Sequence, residues 1–210
     1  MSRAARAPHL RFAGDDARAE AVVLLLPGGT PHELAPVRPF DPSILRMFPF
    51  GRSVVRAGRG RMMLASLRYA VRGWNGHEES PVPDARWALD RIADRFGDLP
   101  VGLVGHSMGG RVALRIANDE RVRSVAALAP WLPAGEPTPA MGGRKVLLAH
   151  GTSDRRTDPW KTFSLAEKLV EQGVHVELVK VPGGGHSMLF PARPWHDLVS
   201  AFMVRTLLSG

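Results

Sequence analysis

The 210-residue chain contains no cysteine. That excludes disulfides, thiolate metal ligands and a cysteine nucleophile. Lysine is scarce as well, occurring only at positions 145, 161, 168 and 180, so arginine carries nearly all the basic charge. No apolar run approaches the roughly 18 residues that a membrane span needs. The longest candidate, Ala21–Leu26, stops at Pro27. Arg3 and Arg6 stand near the N-terminus, but Ala4, Ala5 and Ala7 do not make a continuous apolar signal core. The expectation is one domain over residues 1–210, cytoplasmic and without a membrane partner, with residues 1–8 flexible.

What is present is a hydrophobic share of 44% and a formal charge of +8. The first is ordinary for a globular chain. The second raises the question of polyanions. The arginines, however, are scattered. Their densest stretch, residues 52–61, is interleaved with Val54, Val55 and Gly58. A solvated arginine-rich surface accounts for this, and no nucleic-acid partner is expected. Binding to an acidic partner is the alternative reading.

Short apolar runs alternate with longer amphipathic stretches, the pattern of βα units around a parallel sheet. Strands are expected at Ala21–Leu26, residues 61–67, 101–104, 124–129, 145–149 and 175–181. Helices are expected over residues 41–57 (interrupted near Pro49), 84–96 with an Asp84 cap, 108–118, 158–172 and 194–208. Residues 9–12 and 17–20 are expected to pair as an edge hairpin. Residues 130–143 carry Pro133, Gly135, Pro137 and Pro139, and are too short and too broken to fold as a domain.

Gly105-His106-Ser107-Met108-Gly109 lies between a β-like run and an amphipathic helix. This is the G-x-S-x-G arrangement that puts a serine on a sharp strand-to-helix turn. Bulky side chains two residues either side would collide there. The helix N-terminus brings partial positive charge to the place where an oxyanion forms. A serine hydroxyl needs a base and a group to orient that base. In such sheets these follow in the order Ser, Asp or Glu, His. His150-Gly151-Thr152-Ser153-Asp154 follows one strand and Gly183-Gly184-Gly185-His186 follows another. Asp154 and His186 are therefore the candidates. Asp158, just before Pro159, reads as a helix cap. His150 reads as a group behind the acid, and His106 as structural. No His/Asp/Glu cluster has metal-ligand spacing.

On Gly105-His-Ser-Met-Gly-Gly110, His150-Gly-Thr-Ser-Asp154 and Gly185-His186, the chain from about residue 21 onward resembles the α/β-hydrolase superfamily. Within it the likeness is to compact dienelactone-hydrolase-like and prolyl-oligopeptidase-like serine hydrolases. The resemblance implies an α/β-hydrolase fold, with a mostly parallel sheet of six to seven strands, helices on both faces and no cap domain. It implies Ser107 as nucleophile, His186 as base and then acid, Asp154 as orienting carboxylate, and no cofactor. The oxyanion donors would be the backbone N–H groups of Met108 and Gly29, with Thr30 as the alternative to Gly29. Pro27 stands where relatives commonly have histidine. With only residues 130–143 in the usual lid position, an open site is expected. Thr30, His32, Trp131 and Met188 are the candidate pocket residues.

The expected activity is hydrolysis of a small carboxylic ester or thioester, by a monomer or homodimer. Acyl transfer and peptide cleavage use the same residues. A non-catalytic binding protein on this fold is the remaining alternative.

Overall fold

The structure, a computed structural model, describes residues 7–138 and 140–208. Seven strands form one sheet: β1 (His9–Ala13), β2 (Ala21–Leu26), β3 (Met62–Arg68), β4 (Val101–His106), β5 (Val122–Leu128), β6 (Lys145–Gly151) and β7 (His175–Val181). Their order is β1-β3-β2-β4-β5-β6-β7, and every pairing except β1 with β3 is parallel. Five helices flank it: α1 (Pro42–Ala57), α2 (Pro81–Phe96), α3 (Met108–Arg115), α4 (Pro159–Glu171) and α5 (Arg193–Leu207). This is the α/β-hydrolase fold expected from the sequence.

The strands are apolar throughout because the sheet is covered on both faces. β2 shows how one run serves two layers. Val22, Leu24 and Leu26 face the core under α2, α3 and α4, whereas Ala21, Val23 and Leu25 face the core under α1 and α5. All six are essentially sealed from solvent. The chain reverses its direction of travel across the sheet between β2 and β4. That switch point is where open α/β sheets leave a crevice beyond their strand ends.

Three local expectations are corrected. β1 does not pair with residues 17–20; it runs antiparallel to β3, His9 opposite Arg68, and Asp16–Arg18 form a short 3-10 turn. α1 continues through Pro49. That proline lies on the exposed side, where the carbonyl that loses its partner can turn to water. Asp84 does not cap α2, which starts at Pro81; its carboxylate instead accepts the Ala70 N–H at 2.8 Å. Asp158 does cap α4, accepting the Trp160 N–H at 3.0 Å. The segment between β5 and β6 contains neither helix nor strand among its described residues. Of the residues expected to be flexible, 1–6 lie outside the described residues.

Candidate active site

Ser107 sits at the β4–α3 junction with φ 55° and ψ −116°, a left-handed backbone that a non-glycine residue adopts only when its surroundings enforce it. The enforcement is visible. The Ser107 N–H donates to Leu128 O at 3.0 Å, and the Ser107 carbonyl accepts from Trp131 N (3.0 Å) and Arg111 N (3.2 Å). A Cβ on Gly105 would run into the Gly109 carbonyl, and one on Gly109 into the Leu26 carbonyl. Both glycines are required because backbone passes where a side chain would be.

The loops after β6 and β7 bring two more side chains to this turn. His186 Nε2 lies 3.1 Å from Ser107 Oγ, and His186 Nδ1 lies 2.8 Å from Asp154 Oδ2. The carboxylate can only accept from Nδ1, which leaves Nε2 as the bare nitrogen facing the serine hydroxyl. Asp154 is enclosed, and five donors reach it. Oδ2 accepts from His186, from His150 Nε2 (3.1 Å) and from Thr157 Oγ1 (2.8 Å); Oδ1 accepts the N–H groups of Arg156 (2.8 Å) and Thr157 (3.1 Å). Burial by itself would raise the pKa of this group. The hydrogen bonds from His150, His186 and the two backbone amides outweigh it and hold Asp154 well below the usual carboxylate range.

Two further histidines buttress the site. His150 is fully buried and bridges Asp154 to Thr162, whose hydroxyl donates to His150 Nδ1 at 2.7 Å. His106 is buried against His186 with ring centroids 4.8 Å apart. Its Nε2–H donates to the His186 carbonyl at 2.9 Å. Burial, and secondarily the neighbouring His186, lowers the pKa of His106 to about 3.

The loop after β2 is stitched to the segment after β3. Thr30 N donates to Arg72 O (3.0 Å) and Trp74 N to Thr30 O (2.9 Å). The Thr30 N–H is thereby occupied and drops out as an oxyanion donor. The Gly29 amide faces no such claim within the described backbone pairings. A Cβ on Gly29 would collide with the Arg72 carbonyl and the Met108 side chain. Pro27 in place of histidine thus leaves the loop firmly placed.

A cavity of about 430 Å³ opens over Ser107, within the range of small-molecule sites. Of the candidate pocket residues, Thr30 and Trp131 line it. His32 and Met188 do not. Gly73 N bonds Glu33 O and Asn75 N bonds Pro31 O, both at 2.9 Å, and His32 is left facing solvent. Met188, in a left-handed turn closed by its N–H on Gly185 O, packs into the core with Trp195 and Val199. Behind Trp131, Arg111 stacks over Trp74 at 3.6 Å and lies 4.9 Å from the Trp131 ring. Glu136, from the segment between β5 and β6, pairs with Arg111 (2.7 Å) and Arg115 (3.0 Å). The N–H bonds are poorly aimed at the carboxylate, so these are charge contacts rather than aligned hydrogen bonds.

Sequence reading anticipated a group behind the acid at His150. It missed Thr157, although a hydroxyl three residues after an acid and just before an Asp-Pro helix start is a legible signal for a turn bond. It also missed Arg46 and Arg156 on the cavity wall. No local pattern marks either one.

The Alpha/beta hydrolase family model matches residues 23–170. The chain belongs to that family. A model of the Prolyl oligopeptidase family matches the C-terminal part, residues 136–209. No curated protein matches this hydrolase. Solved structures do. An α/β serine hydrolase without a lid from Xanthomonas campestris superposes with a TM-score of 0.70 at 16% identity, over 97% of this chain and 91% of that one. Est1E from Butyrivibrio proteoclasticus, with ferulic acid bound, gives 0.69 at 14% over 96% of both chains. An esterase from Pyrococcus furiosus gives 0.68 at 17%, over 94% and 87%. At these identities the likeness is one of fold. No described helix of this hydrolase is long and apolar enough to cross a membrane.

Proposed function

We propose that this hydrolase cleaves carboxylic ester or thioester bonds through an acyl-enzyme on Ser107. The observation that carries the reading is the unbroken hydrogen-bond chain Ser107 Oγ–His186 Nε2–His186 Nδ1–Asp154 Oδ2, at 3.1 and 2.8 Å. His186 Nε2 takes the hydroxyl proton as Oγ attacks the carbonyl carbon. The tetrahedral oxyanion is met by the N–H groups of Met108, at the first turn of α3, and Gly29. Asp154 holds the imidazole in the required tautomer and offsets the imidazolium charge as it forms. His186 then gives its proton to the departing alkoxide or thiolate. Water repeats the cycle on the acyl-enzyme, with His186 as base. The esterase and serine-hydrolase neighbours support this class over the alternatives.

The test is a panel of p-nitrophenyl esters and acyl thioesters of increasing chain length, run on wild type and Ser107→Ala. Wild type should turn over short acyl chains, and the alanine variant should lose roughly 10⁴-fold or more in kcat. A folded wild type inert to every member, or a Ser107→Ala variant of equal activity, contradicts the proposal.

A further inference from the structure

Three guanidinium groups stand on the wall of the Ser107 cavity: Arg46 from α1, Arg72 after β3 and Arg156 after β6. Arg72 is neutralised, with Glu33 at 3.1 Å and Asp41 at 3.2 Å. Asp41 is in turn fully engaged, since it also caps α1 through Ser43 N (3.1 Å) and Ser43 Oγ (2.9 Å). The other two arginines differ. Neither Arg46 nor Arg156 has a carboxylate within ion-pairing distance among the described residues. Arg46 Nη1 donates to the Ser187 carbonyl at 2.5 Å, one residue from the catalytic-base candidate, and this contact leaves its charge uncompensated.

The two cations also feel each other. Burial lowers the pKa of Arg46 and the charge of Arg156 lowers it further. Arg46 is half-buried and Arg156 exposed. Among the other enclosed arginines, Arg68 and Arg144 are met by backbone carbonyls, whereas others are matched by acids. Arg111 and Arg115 share Glu136, and Arg121 has Asp119 and Asp90. The acid of the active site cannot serve, because Asp154 is closed off behind His186 and committed to five donors. The wall of the cavity over the nucleophile therefore carries two arginines, Arg46 and Arg156, with no carboxylate partner among the described residues, in a place where a ligand group would complete the pairing.

We propose that the substrate of this site is an anionic ester or thioester, whose carboxylate or phosphate docks between Arg46 and Arg156 while its scissile carbonyl lies at Ser107. The inference rests on the serine-hydrolase reading above and names its substrate class. Guanidinium groups suit the task because each presents a planar fork of N–H donors to two anion oxygens. The overall charge of +8 would also draw such a substrate toward the protein.

The experiment compares matched pairs of activated esters at low salt. One pair puts a carboxylate at the end of the acyl chain (p-nitrophenyl hydrogen glutarate against p-nitrophenyl pentanoate). A second puts it on the leaving phenol (4-acetoxybenzoate against its methyl ester). A third puts a phosphate on the leaving phenol (4-acetoxyphenyl phosphate against 4-methoxyphenyl acetate). The readout is the ratio of kcat/KM for the anionic and neutral members. At least one pair should favour the anion by about 10-fold or more, falling as salt is added. That ratio should drop at least about 5-fold in Arg156→Gln and in Arg46→Gln, and be partly kept in Arg46→Lys. Preference for the neutral member in every pair, or a ratio unmoved by either glutamine variant, overturns the proposal while ester hydrolysis itself stands. Loss of all ester hydrolysis in folded wild type instead counts against the serine-hydrolase reading. In that event thermal shifts with glutarate and with inorganic phosphate decide the anion site. Stabilisation of wild type that is lost in Arg156→Gln supports it, and equal or absent shifts overturn it.

Discussion

The Nε2–H of His106 donates to the backbone carbonyl of His186 at 2.9 Å, so the residue just before the nucleophile anchors the loop that carries the base candidate. The bond joins the end of β4 to the loop after β7, segments that meet only in the folded sheet. It also fixes the tautomer of His106, because a carbonyl can only accept.

This buried imidazole gives stability a pH signature. Its pKa of about 3 lies below the 6.5 of an unfolded histidine. Between those values the unfolded chain binds a proton that the folded chain refuses, so the contribution is intact at neutral pH and is lost as pH falls. At neutral pH, His106→Gln should cost about 1–3 kcal/mol for the lost bond and fit. The gap to wild type should shift by about 2.5 kcal/mol in favour of the glutamine variant on going to about pH 4.5, as the histidine penalty grows in wild type alone. Urea unfolding at a series of pH values checks this; a gap independent of pH would contradict it.

Thr157 should matter more to rate than its place outside the serine–histidine contact suggests. Its hydroxyl is one of the donors on Asp154 Oδ2, at 2.8 Å, and its oxygen lies 3.1 Å from His186 Nδ1. Thr157→Val keeps the shape and removes the donor. We expect kcat to fall about 10-fold with KM nearly unchanged, a stability loss of about 1–2 kcal/mol, and recovery of most of the rate in Thr157→Ser. Equal kcat in valine and serine variants would show that the hydroxyl does not position the acid.

Glu136 ties the segment between β5 and β6 to the wall behind Trp131. Burial raises the pKa of Glu136 and lowers that of Arg111 more than their pairing restores. Such a pair adds little when intact and costs much when halved. Glu136→Gln leaves Arg111 without its counter-charge over the Trp74 ring. A loss of about 2–3 kcal/mol follows, or roughly 5–10 °C in Tm for a chain of this size, together with a changed near-ultraviolet signal from Trp74 and Trp131. An unchanged Tm would mean that the segment is held by other contacts.

The legible parts of this molecule are those in which local sequence dictates backbone. β2 is apolar at every position because it is buried on both faces, and an unbroken run announces that. The serine turn is legible because glycine is the only residue that fits at 105 and 109. Asp154 and His186 follow from strand ends and chain order. What stayed hidden depends on which distant segments meet. β1 finds its partner in β3, some fifty residues on, and no turn chemistry near residue 14 reports that choice. Arg46 lies on the face of α1 toward the cavity, whereas the pattern of α1 reports only the face that packs on the sheet. Met188 follows His186 closely in sequence, yet a left-handed residue turns it into the core. The continuity of α1 past Pro49 shows tertiary packing prevailing over a local breaker.

The central claim is that Ser107 is a nucleophile activated by His186. A fluorophosphonate probe followed by peptide mass mapping tests it most directly. The account predicts a single adduct on the peptide containing Ser107, absent in Ser107→Ala and slowed at least about 100-fold in His186→Asn. A folded wild type that takes up no probe, or an adduct on a residue other than Ser107, would contradict it.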